Sequence, residues 1–276
     1  MLPKLGVLAG SGDIPARLIS ACRSSGREVF VVALNGETDP KTVEDCDHVW
    51  QDIAAVGGTV DALKSAGCED VVLIGPLHRP QFSALKPDWQ GVKLLPRILK
   101  AARVGDDALL TVVVAFLEEQ GFRVVGADEI LTDMAAPFGN LGAHTPSDED
   151  RADIARGVEV GRALGAADVG QAVVVRDGVV LAVEAAEGTD AMLARCIELR
   201  GDGAGGVLVK LPKPGQERRV DLPTIGTSTV ERAIAAGLHG IAVEVGGALV
   251  VDRENVVARA DAAGLFVTGI EPGAGS

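Results

Sequence analysis

The start of the chain alternates short apolar runs with an amphipathic segment. Residues 5–9 are continuously apolar, residues 15–24 repeat their apolar positions with the period of a helix, and residues 28–34 form a second apolar run rich in β-branched residues. Two strands joined by a helix make a βαβ unit. We therefore predict two parallel strands in this part of the chain.

The same alternation continues through the rest of the first half. Helical patterns cover residues 60–66 and 108–120, and strand-like apolar runs cover residues 70–74 and 122–125. Strands that alternate with helices predict a parallel, doubly wound sheet, whose ligand crevice lies at the carboxyl ends of the strands. We therefore expect an α/β domain here.

A segment rich in Pro and Gly, without periodicity, separates this pattern from a different one. We predict an N-terminal domain at 1–132, a linker at 133–147 and a C-terminal domain at 148–276. Ser147, followed by three acidic residues, predicts the N-cap of a helix, and Asp177-Gly178 predicts a hairpin turn. Strand-like runs occupy 171–176, 179–184, 206–209, 240–243 and 248–251. The second half is thus predicted to be a mixed α+β domain.

Composition narrows the class of protein. The 276 residues are 47% hydrophobic with six Phe, two Trp and no Tyr, so the core must be built from aliphatic side chains. Acidic residues outnumber basic ones by 39 to 26, for a net charge of −13. A nucleic-acid binder carries a basic footprint, so nucleic acid is not an expected partner and any phosphate affinity must be local.

Cysteine spacing and hydropathy exclude two further classes. The four cysteines have neither CxxC nor zinc-ligand spacing, which favours reduced structural thiols in a cytosolic protein. The apolar run near the N-terminus is too short for a signal peptide, and no apolar segment reaches membrane-spanning length. We expect a soluble protein, which leaves room for binding to a membrane surface.

The segment 210–229 concentrates groups that suit phosphate chemistry. Lys210, Lys213, Arg218 and Arg219 gather in an otherwise acidic chain, and Pro and Gly residues restrict the backbone between them. Asp221 lies among these cations and before a predicted helix N-terminus, where a carboxylate can hold a divalent cation against bound phosphates. The alternative interpretation is a solvated, Pro-rich surface loop.

The loop Gly10-Ser11-Gly12-Asp13 follows a predicted strand and opens a predicted helix. Its backbone N–H groups could face a phosphate or another ligand; the alternative is a plain tight turn. Pro15 occupies the position of the third glycine of the dinucleotide-binding fingerprint, which weakens a nicotinamide-cofactor interpretation. Arg79 is expected near the same rim of the sheet.

Several other polar residues sit at predicted strand ends. Thr189 and Asp190 can cap a helix or contact a ligand. Glu244 and Asp252 flank a short predicted strand and could join Asp221 around a cation, although they could equally be polar hairpin positions. No His, Ser or Cys has the spacing expected of a catalytic nucleophile, which favours attack by an activated water.

Blocks in the same order along almost the whole chain resemble one family. They include VLAGSGDIP, RPQFSALKPDW, GDDALL, AVEAAEGTDAMLAR, VLVKLPKPGQERRVDLPTIG, AGLHGIAVEVGGALVVDRE and ADAAGLFVTG. The chain resembles the UDP-2,3-diacylglucosamine pyrophosphatases of lipid A biosynthesis, in the form unrelated to the calcineurin-like enzymes of the same step. This resemblance implies a Rossmann-like N-terminal domain, a family-specific C-terminal catalytic domain, a homodimer that exchanges an element, and substrate held between the domains.

The resemblance also implies a reaction. Water would attack the α-phosphorus of UDP-2,3-diacylglucosamine with the help of Mg2+, or Mn2+ in its place, to give UMP and 2,3-diacylglucosamine 1-phosphate (lipid X). Asp221 matches the essential aspartate of the family, and Lys210, Lys213 and Arg219 would balance phosphoryl charge. The predicted metal ligands are Asp221, Glu244 and Asp252. The predicted substrate contacts are Gly10, Ser11, Gly12, Asp13, Arg79, Thr189, Asp190, Thr224 and Thr227.

The two acyl chains of such a substrate imply work at the inner face of the cytoplasmic membrane by a peripherally bound protein. Two other functions stay open at the level of the sequence. A nicotinamide-dependent oxidoreductase would bind NAD or NADP tightly. A non-catalytic carrier of a nucleotide-linked lipid would leave its ligand unchanged in the presence of magnesium.

Overall fold

The computed structural model describes residues 2–78, 86–199, 201 and 203–271. The chain divides into two compact units, Met1–Leu131 and Thr132–Ser276. The first is built on a five-stranded sheet and the second on a six-stranded sheet with a small two-stranded one. All pairings of the first sheet are parallel, and the second mixes parallel and antiparallel pairs. The predicted fold class is therefore confirmed.

The first unit alternates strands with helices. Its elements are β1 (Leu5–Ala9), α1 (Ile14–Ser24), β2 (Val29–Leu34), β3 (His48–Gln51), α2 (Val56–Ser65), β4 (Asp70–Ile74), α3 (Trp89–Ala101), α4 (Asp106–Glu119) and β5 (Arg123–Val124). The strand order β3-β2-β1-β4-β5 reverses direction at β1, as in Rossmann-like sheets. Leu5, Val7 and Ala9 of the central strand are fully buried, because helices cover both faces of such a sheet.

A buried ionic cluster joins the amino ends of three strands in this unit. Asp70 at the start of β4 is 1% exposed. Its carboxylate accepts hydrogen bonds from Arg123, at 2.8 and 2.7 Å, and from Arg27. The hydrogen bonds from Arg123 lower the pKa of Asp70, with the charges of both arginines acting in the same direction against burial. This carboxylate is therefore held in its charged form.

The second unit also combines α-helices and strands. They are β6 (Gly139–Asn140), α5 (Asp148–Ala166), β7 (Ala172–Arg176), β8 (Val179–Val183), α6 (Gly188–Leu199), β9 (Val207–Lys210), β10 (Thr224–Ile225), α7 (Thr227–Ala235), β11 (Gly240–Glu244), β12 (Leu249–Val250), α8 (Arg253–Ala262) and β13 (Phe266–Ile270). The large sheet has the order β6-β13-β11-β9-β7-β8, and β10 pairs with β12. β13, β11 and β9 run parallel at its centre.

The turns at the edges of this sheet follow local sequence chemistry. Asp177 and Gly178 connect β7 and β8 with φ angles of 53° and 76°, so the predicted hairpin is confirmed. The segment predicted as a linker contributes to the sheet, since β6 pairs with β13 and the Ala136 N–H donates to the Ala248 carbonyl at 2.9 Å. Residues 133–147 lie within the second unit.

Helix α5 covers one face of the large sheet, and α6, α7 and α8 cover the other. Ser147 caps α5 through a reciprocal pair of hydrogen bonds with Asp150, as the sequence predicts. One face of the helix carries Gly157 and Gly161, and a Cβ at Gly157 would lie 2.5 Å from a methyl group of Val209 in β9. Glycine thus allows α5 to lie unusually close to the strand that leads to Lys210.

Side chains alternate along the strands between two hydrophobic clusters. On the α5 side, Ile154 and Val158 pack with Val209 of β9. On the other side, Met192 of α6 and Leu208 of β9 belong to a larger cluster shared with α7 and α8. None of the helices in the described parts of the chain has the length and apolar character needed to cross a membrane.

Candidate functional site

Two polar residues end neighbouring parallel strands at the centre of the large sheet. Lys210 is the last residue of β9 and Glu244 the last of β11, and the strands are paired with Val243 opposite Lys210. The carboxyl ends of parallel strands form the usual ligand-binding edge of such a sheet. The loop 211–223, which carries most of the predicted catalytic residues, leaves the sheet at this edge.

Lys210 is a buried amine, with 7% of the residue exposed. Its Nζ donates to Thr189 Oγ1 at 3.0 Å and to the Thr224 carbonyl at 3.1 Å. The first of these residues lies in the first turn of α6 and the second begins β10. The structure therefore brings together three residues that the sequence singles out, two of them from the segment 210–229 and Thr189 from outside it.

Burial and nearby carboxylates act in opposite directions on Lys210. Desolvation lowers the pKa of its amine, while the charges of Glu184, Asp190 and Asp221 favour the protonated form. Burial is the larger effect, so the pKa lies below that of an ordinary lysine. Asp190 also pairs with Arg232 of α7 at 2.9 Å.

Glu184 is a site residue that the sequence analysis missed. It follows β8, is 7% exposed, and accepts a hydrogen bond at 2.9 Å from the hydroxyl of Thr189. Thr189 thus links Glu184 to Lys210 and does not serve as the helix cap considered from the sequence, because α6 begins at Gly188. The only available signal was a carboxylate at the end of a strand-like run.

Asp221 is held by a second residue that sequence reasoning missed. One of its carboxylate oxygens accepts a hydrogen bond from the side-chain amide of Gln216. Gln216 is 6% exposed, and its Oε1 accepts from the Lys213 backbone N–H at 2.7 Å. The buried Gln216 thus links two other residues of loop 211–223 by hydrogen bonds, and it fixes the position of the Asp221 carboxylate.

Two cations of this loop, Lys213 and Arg219, have acidic partners. Lys213 Nζ lies 2.5 Å from a carboxylate oxygen of Asp168. Arg219 forms a bidentate pair with Glu217 at 2.8 and 2.7 Å, and these hydrogen bonds lower the pKa of Glu217. The local excess of positive charge expected from the loop alone is therefore reduced by Asp168 and Glu217, which the sequence analysis did not consider.

A pocket of about 280 Å³ opens beside this loop. Its polar lining consists of Arg162, Lys213, Gln216, Arg218 and Glu244, and Arg218 also donates to the Gly246 carbonyl. Three cations around a small cavity suit phosphate oxygens, because charge-assisted hydrogen bonds to phosphate are short and strong. Gln216 belongs both to this lining and to the support of Asp221, so the two features are contiguous.

The predicted set of three metal ligands is not assembled. Within the described parts of the chain, no group of three or more His, Cys, Asp or Glu side chains is arranged to hold a metal ion. Asp221 precedes β10 and Asp252 follows β12; because these strands are parallel, the two residues lie beyond opposite ends of the pair. Asp252 instead precedes α8 and accepts from Asn255 at 2.9 Å. Mg2+ commonly uses only one or two protein carboxylates and completes its ligands with substrate phosphates and waters, so a set of three carboxylates is not required.

The remaining predicted residue of this unit begins α7. Thr227 is the first residue of the helix, whose N-cap is Gly226. The Gly226 N–H donates to Thr229 Oγ1 at 3.3 Å. The hydroxyl-rich stretch therefore supports the helix start through Thr229.

The predicted loop of the first unit packs against a neighbouring turn. Ser11 Oγ donates to the Pro76 carbonyl at 2.7 Å, and a Cβ at Gly10 would lie 2.5 Å from the Gly75 carbonyl oxygen. Close backbone approach thus accounts for Gly10. Gly12 has a φ of 81° and Asp13 lies 3.5 Å from Arg17. The predicted contact Arg79 lies outside the described residues.

Comparison with known proteins covers nearly the whole chain. The family model described as the LpxI N-terminal domain matches residues 4–134, and that described as the LpxI C-terminal domain matches residues 137–268. A protein of Caulobacter vibrioides named UDP-2,3-diacylglucosamine pyrophosphatase LpxI is 47% identical over 275 residues, which are 98% of this chain and 98% of that protein.

Solved structures give a much weaker likeness. A structure titled CobK precorrin-6A reductase has a TM-score of 0.33 and 13% identity, covering 98% of this chain and 88% of its own. A structure of gox2253 has a TM-score of 0.33 and 11% identity, covering 98% and 78%. Likenesses at this level carry no argument about fold or function.

Proposed function

This chain belongs to the LpxI family, and from that premise we propose that it hydrolyses the pyrophosphate bond of UDP-2,3-diacylglucosamine in lipid A biosynthesis. The products are UMP and 2,3-diacylglucosamine 1-phosphate. The observation that carries the proposal is the 47% identity, over 98% of both chains, to a protein that bears the name of this activity. Family membership also favours hydrolysis over the oxidoreductase and carrier alternatives.

The proposed reaction is attack of water on the α-phosphorus. A bond forms between the water oxygen and phosphorus while the bond from phosphorus to the bridging oxygen breaks, and the lipid phosphate leaves with that oxygen. Negative charge on the phosphoryl oxygens must be stabilised by groups that are already in place. Lys210 meets this requirement, because Thr189 and Thr224 hold its amine before substrate binds.

Asp221 is proposed to hold a Mg2+ ion, or Mn2+ in its place, against the diphosphate. Such an ion supplies charge neutralisation and polarises a phosphoryl oxygen. Gln216 orients the carboxylate through its amide, and loop 211–223 shields that amide from water. The ligand set of the protein is proposed to be Asp221 with substrate oxygens and waters, in place of the three-carboxylate set expected from the sequence.

The neighbouring pocket is proposed to receive part of the diphosphate. Arg162, Lys213 and Arg218 supply cationic donors to the lining, and Glu244 limits its net charge. Because Lys213 and Arg218 already contact Asp168 and the Gly246 carbonyl, their side chains need little reordering when an anion arrives. The homodimer and the peripheral membrane association implied by the resemblance are also proposals, tested by light scattering and by vesicle binding.

Release of UMP from detergent-dispersed UDP-2,3-diacylglucosamine tests the function. We expect hydrolysis by the wild-type protein with Mg2+ and its loss on chelation. Asp221→Asn should lower kcat about 100- to 1,000-fold, because it removes the charge that holds the metal. Asp133→Asn, an exposed substitution in the same unit, is the matched control. Full activity in a correctly folded Asp221→Asn protein would exclude this role for Asp221.

Isotope labelling identifies which phosphorus atom the water attacks. Hydrolysis in water enriched with oxygen-18 should place the label in UMP, since the new oxygen bonds to the α-phosphorus. Label in the lipid phosphate would show attack at the other phosphorus and would overturn this part of the proposal. Mass spectrometry of the two products distinguishes the outcomes in one experiment.

A further inference from the structure

Helix α3 of the first unit leaves an apolar face uncovered. It buries Gly91, Leu94 and Ala101 while packing on α2 and α4. Trp89, which is 72% exposed, and Leu99, which is 41% exposed, point away from that packing. Val92 and Pro96 are exposed on the same side, because positions three and four apart share one face of a helix. A run of exposed apolar residues along one helix face is typical of an interaction surface.

The same helix carries a charge opposite to that of the chain. Residues 86–104 contain five basic residues and one acidic residue, a net charge of +4, whereas the whole chain has a net charge of −13. The acidic residue, Asp88, is the N-cap of α3, and its carboxylate accepts from the Gly91 and Gly58 N–H groups at 2.8 and 3.1 Å. The basic residues are Lys86, Lys93, Arg97, Lys100 and Arg103. Arg97 pairs with Glu119 of α4 at 2.8 Å, so Lys93 and Lys100 are the cations of the helix on which the docking argument depends.

The apolar and basic groups of α3 are intermixed. Lys93 Nζ lies 5.1 Å from the centroid of the Trp89 ring. Tryptophan and lysine are both favoured at the boundary between lipid headgroups and acyl chains, where the ring enters the boundary and the lysine stem reaches back to the headgroups. An exposed tryptophan beside several cations therefore matches the chemistry of an anionic bilayer surface.

We infer that the exposed face of α3 docks on a bilayer of anionic lipids. Basic residues supply attraction to anionic headgroups, and the apolar side chains gain burial at the acyl boundary. A second copy of this chain is a poorer occupant, because two α3 faces would bring like charges together. The inference rests on the proposed function in one respect, since a diacylated substrate resides in a membrane.

Vesicle binding by the full-length protein tests the inference. In a Trp50→Phe background, Trp89 is the remaining tryptophan of the chain. With vesicles of phosphatidylglycerol and phosphatidylcholine, we expect co-sedimentation and a blue shift of its emission, both weakened by added salt. Equal binding to pure phosphatidylcholine vesicles, or no binding to either kind, would overturn the inference.

Two double variants that remove the same charge from different places test whether α3 is the docking surface. Lys93→Gln with Lys100→Gln should lower the partition coefficient about 30-fold, as each lysine near an anionic surface contributes a factor of about five. Lys41→Gln with Lys64→Gln removes the same charge from exposed positions elsewhere in the unit and should leave binding almost unchanged. Equal losses in the two double variants would show a general charge effect and contradict docking through α3.

Hydrolysis of detergent-dispersed substrate separates this inference from the proposed function. The α3 double variant should keep wild-type activity in detergent while losing vesicle binding. Vesicle binding without hydrolysis by the wild-type protein would refute the proposed function alone. Hydrolysis without vesicle binding would refute the docking surface alone.

Discussion

Lys210 shows how a single residue can be made ready for phosphate chemistry by its surroundings. An isolated buried ammonium is costly, so a lysine in an apolar setting tends towards its neutral form. Here Thr189 and the Thr224 carbonyl accept from the amine, and three carboxylates favour its charge. The net effect is a pKa below that of an ordinary lysine, so Lys210 releases its proton more easily than an exposed lysine.

The lowered pKa of Lys210 predicts the pH dependence of the reaction. If the charged amine stabilises the phosphoryl oxygens, kcat/KM should fall on the alkaline side at a pH below about 10.4, where an ordinary lysine titrates. In Lys210→Arg the side chain stays protonated, so this fall should move to higher pH even if the maximal rate is lower. Lys64→Arg on the surface serves as the control. An alkaline limb at the same pH in Lys210→Arg would show that another group titrates.

The site could be predicted from sequence only in part, for a physical reason. Lys210 and Asp221 stand out because they are charged residues beside an apolar strand and a rigid turn. Glu184 and Gln216 act through contacts whose importance depends on burial, and burial comes from packing of distant segments. Asp252 shows the same dependence on tertiary structure: its position at the end of a predicted strand suggested a shared metal site or a polar hairpin position, and the parallel pairing of β10 and β12 places it at the opposite end of that pair from Asp221.

At the scale of elements, α5 both contributes Arg162 to the pocket and packs on β9, the strand that ends at Lys210. Gly157 faces Val209, the residue before Lys210, and Gly161 faces Leu211, the residue after it. Where the helix approaches the strand this closely, little space is left for a side chain at either glycine. These glycines therefore set the distance between α5 and β9, and with it the position of the Lys210 amine.

Substitution of these glycines should have unequal effects. A Cβ at Gly157 would lie 2.5 Å from Val209, whereas one at Gly161 would lie 3.2 Å from the flexible end of Leu211. We expect Gly157→Ala to destabilise the protein by about 2 kcal/mol, because overpacking exceeds the gain in helix propensity. Gly161→Ala should cost less, and kcat should fall further in Gly157→Ala. Chemical denaturation and steady-state kinetics measure both; equal effects would contradict the packing argument.

Elements with strong local signals were predicted well. The strands β1 and β4 match their predicted bounds, and the capped start of α5 and the β7–β8 hairpin are confirmed, because each depends on adjacent residues. The elements β3, α3, β6, β10, α8 and β13 were not predicted from the sequence. Helix α3 contains Pro96, which normally signals a helix end. The two residues of β10 become a strand only by pairing with β12, a contact no local pattern reveals.

At the scale of the whole molecule, each unit has its own sheet and its own buried residues. Both tryptophans, Trp50 and Trp89, belong to the first unit, whereas the candidate catalytic residues Lys210 and Asp221 belong to the second. Tryptophan emission therefore reports on the first unit, and hydrolysis reports chiefly on the second. This division allows the two units to be perturbed and observed separately.

We expect the units to respond independently to substitutions in their cores. Asp70→Asn removes the carboxylate that holds Arg27 and Arg123, and should lower the stability detected by tryptophan emission by about 3 kcal/mol at pH 7. Because the folded pKa of Asp70 is lowered, its stabilisation is present above the unfolded pKa and lost as pH falls through the folded value. The difference from wild type should therefore shrink in acid, and the exposed control Asp61→Asn should show no such trend.

A substitution in the core of the second unit tests the same independence of the two units. Gly157→Ala should leave the tryptophan-detected transition of the wild-type protein unchanged while it shifts the transition seen by circular dichroism. In the double variant with Asp70→Asn, the two changes in unfolding free energy should add to within about 0.5 kcal/mol, as for sites that share no contacts. A larger deviation, or a shift of the tryptophan transition by Gly157→Ala, would show that the two cores unfold as one cooperative structure, and the stability of each unit would then depend on the other.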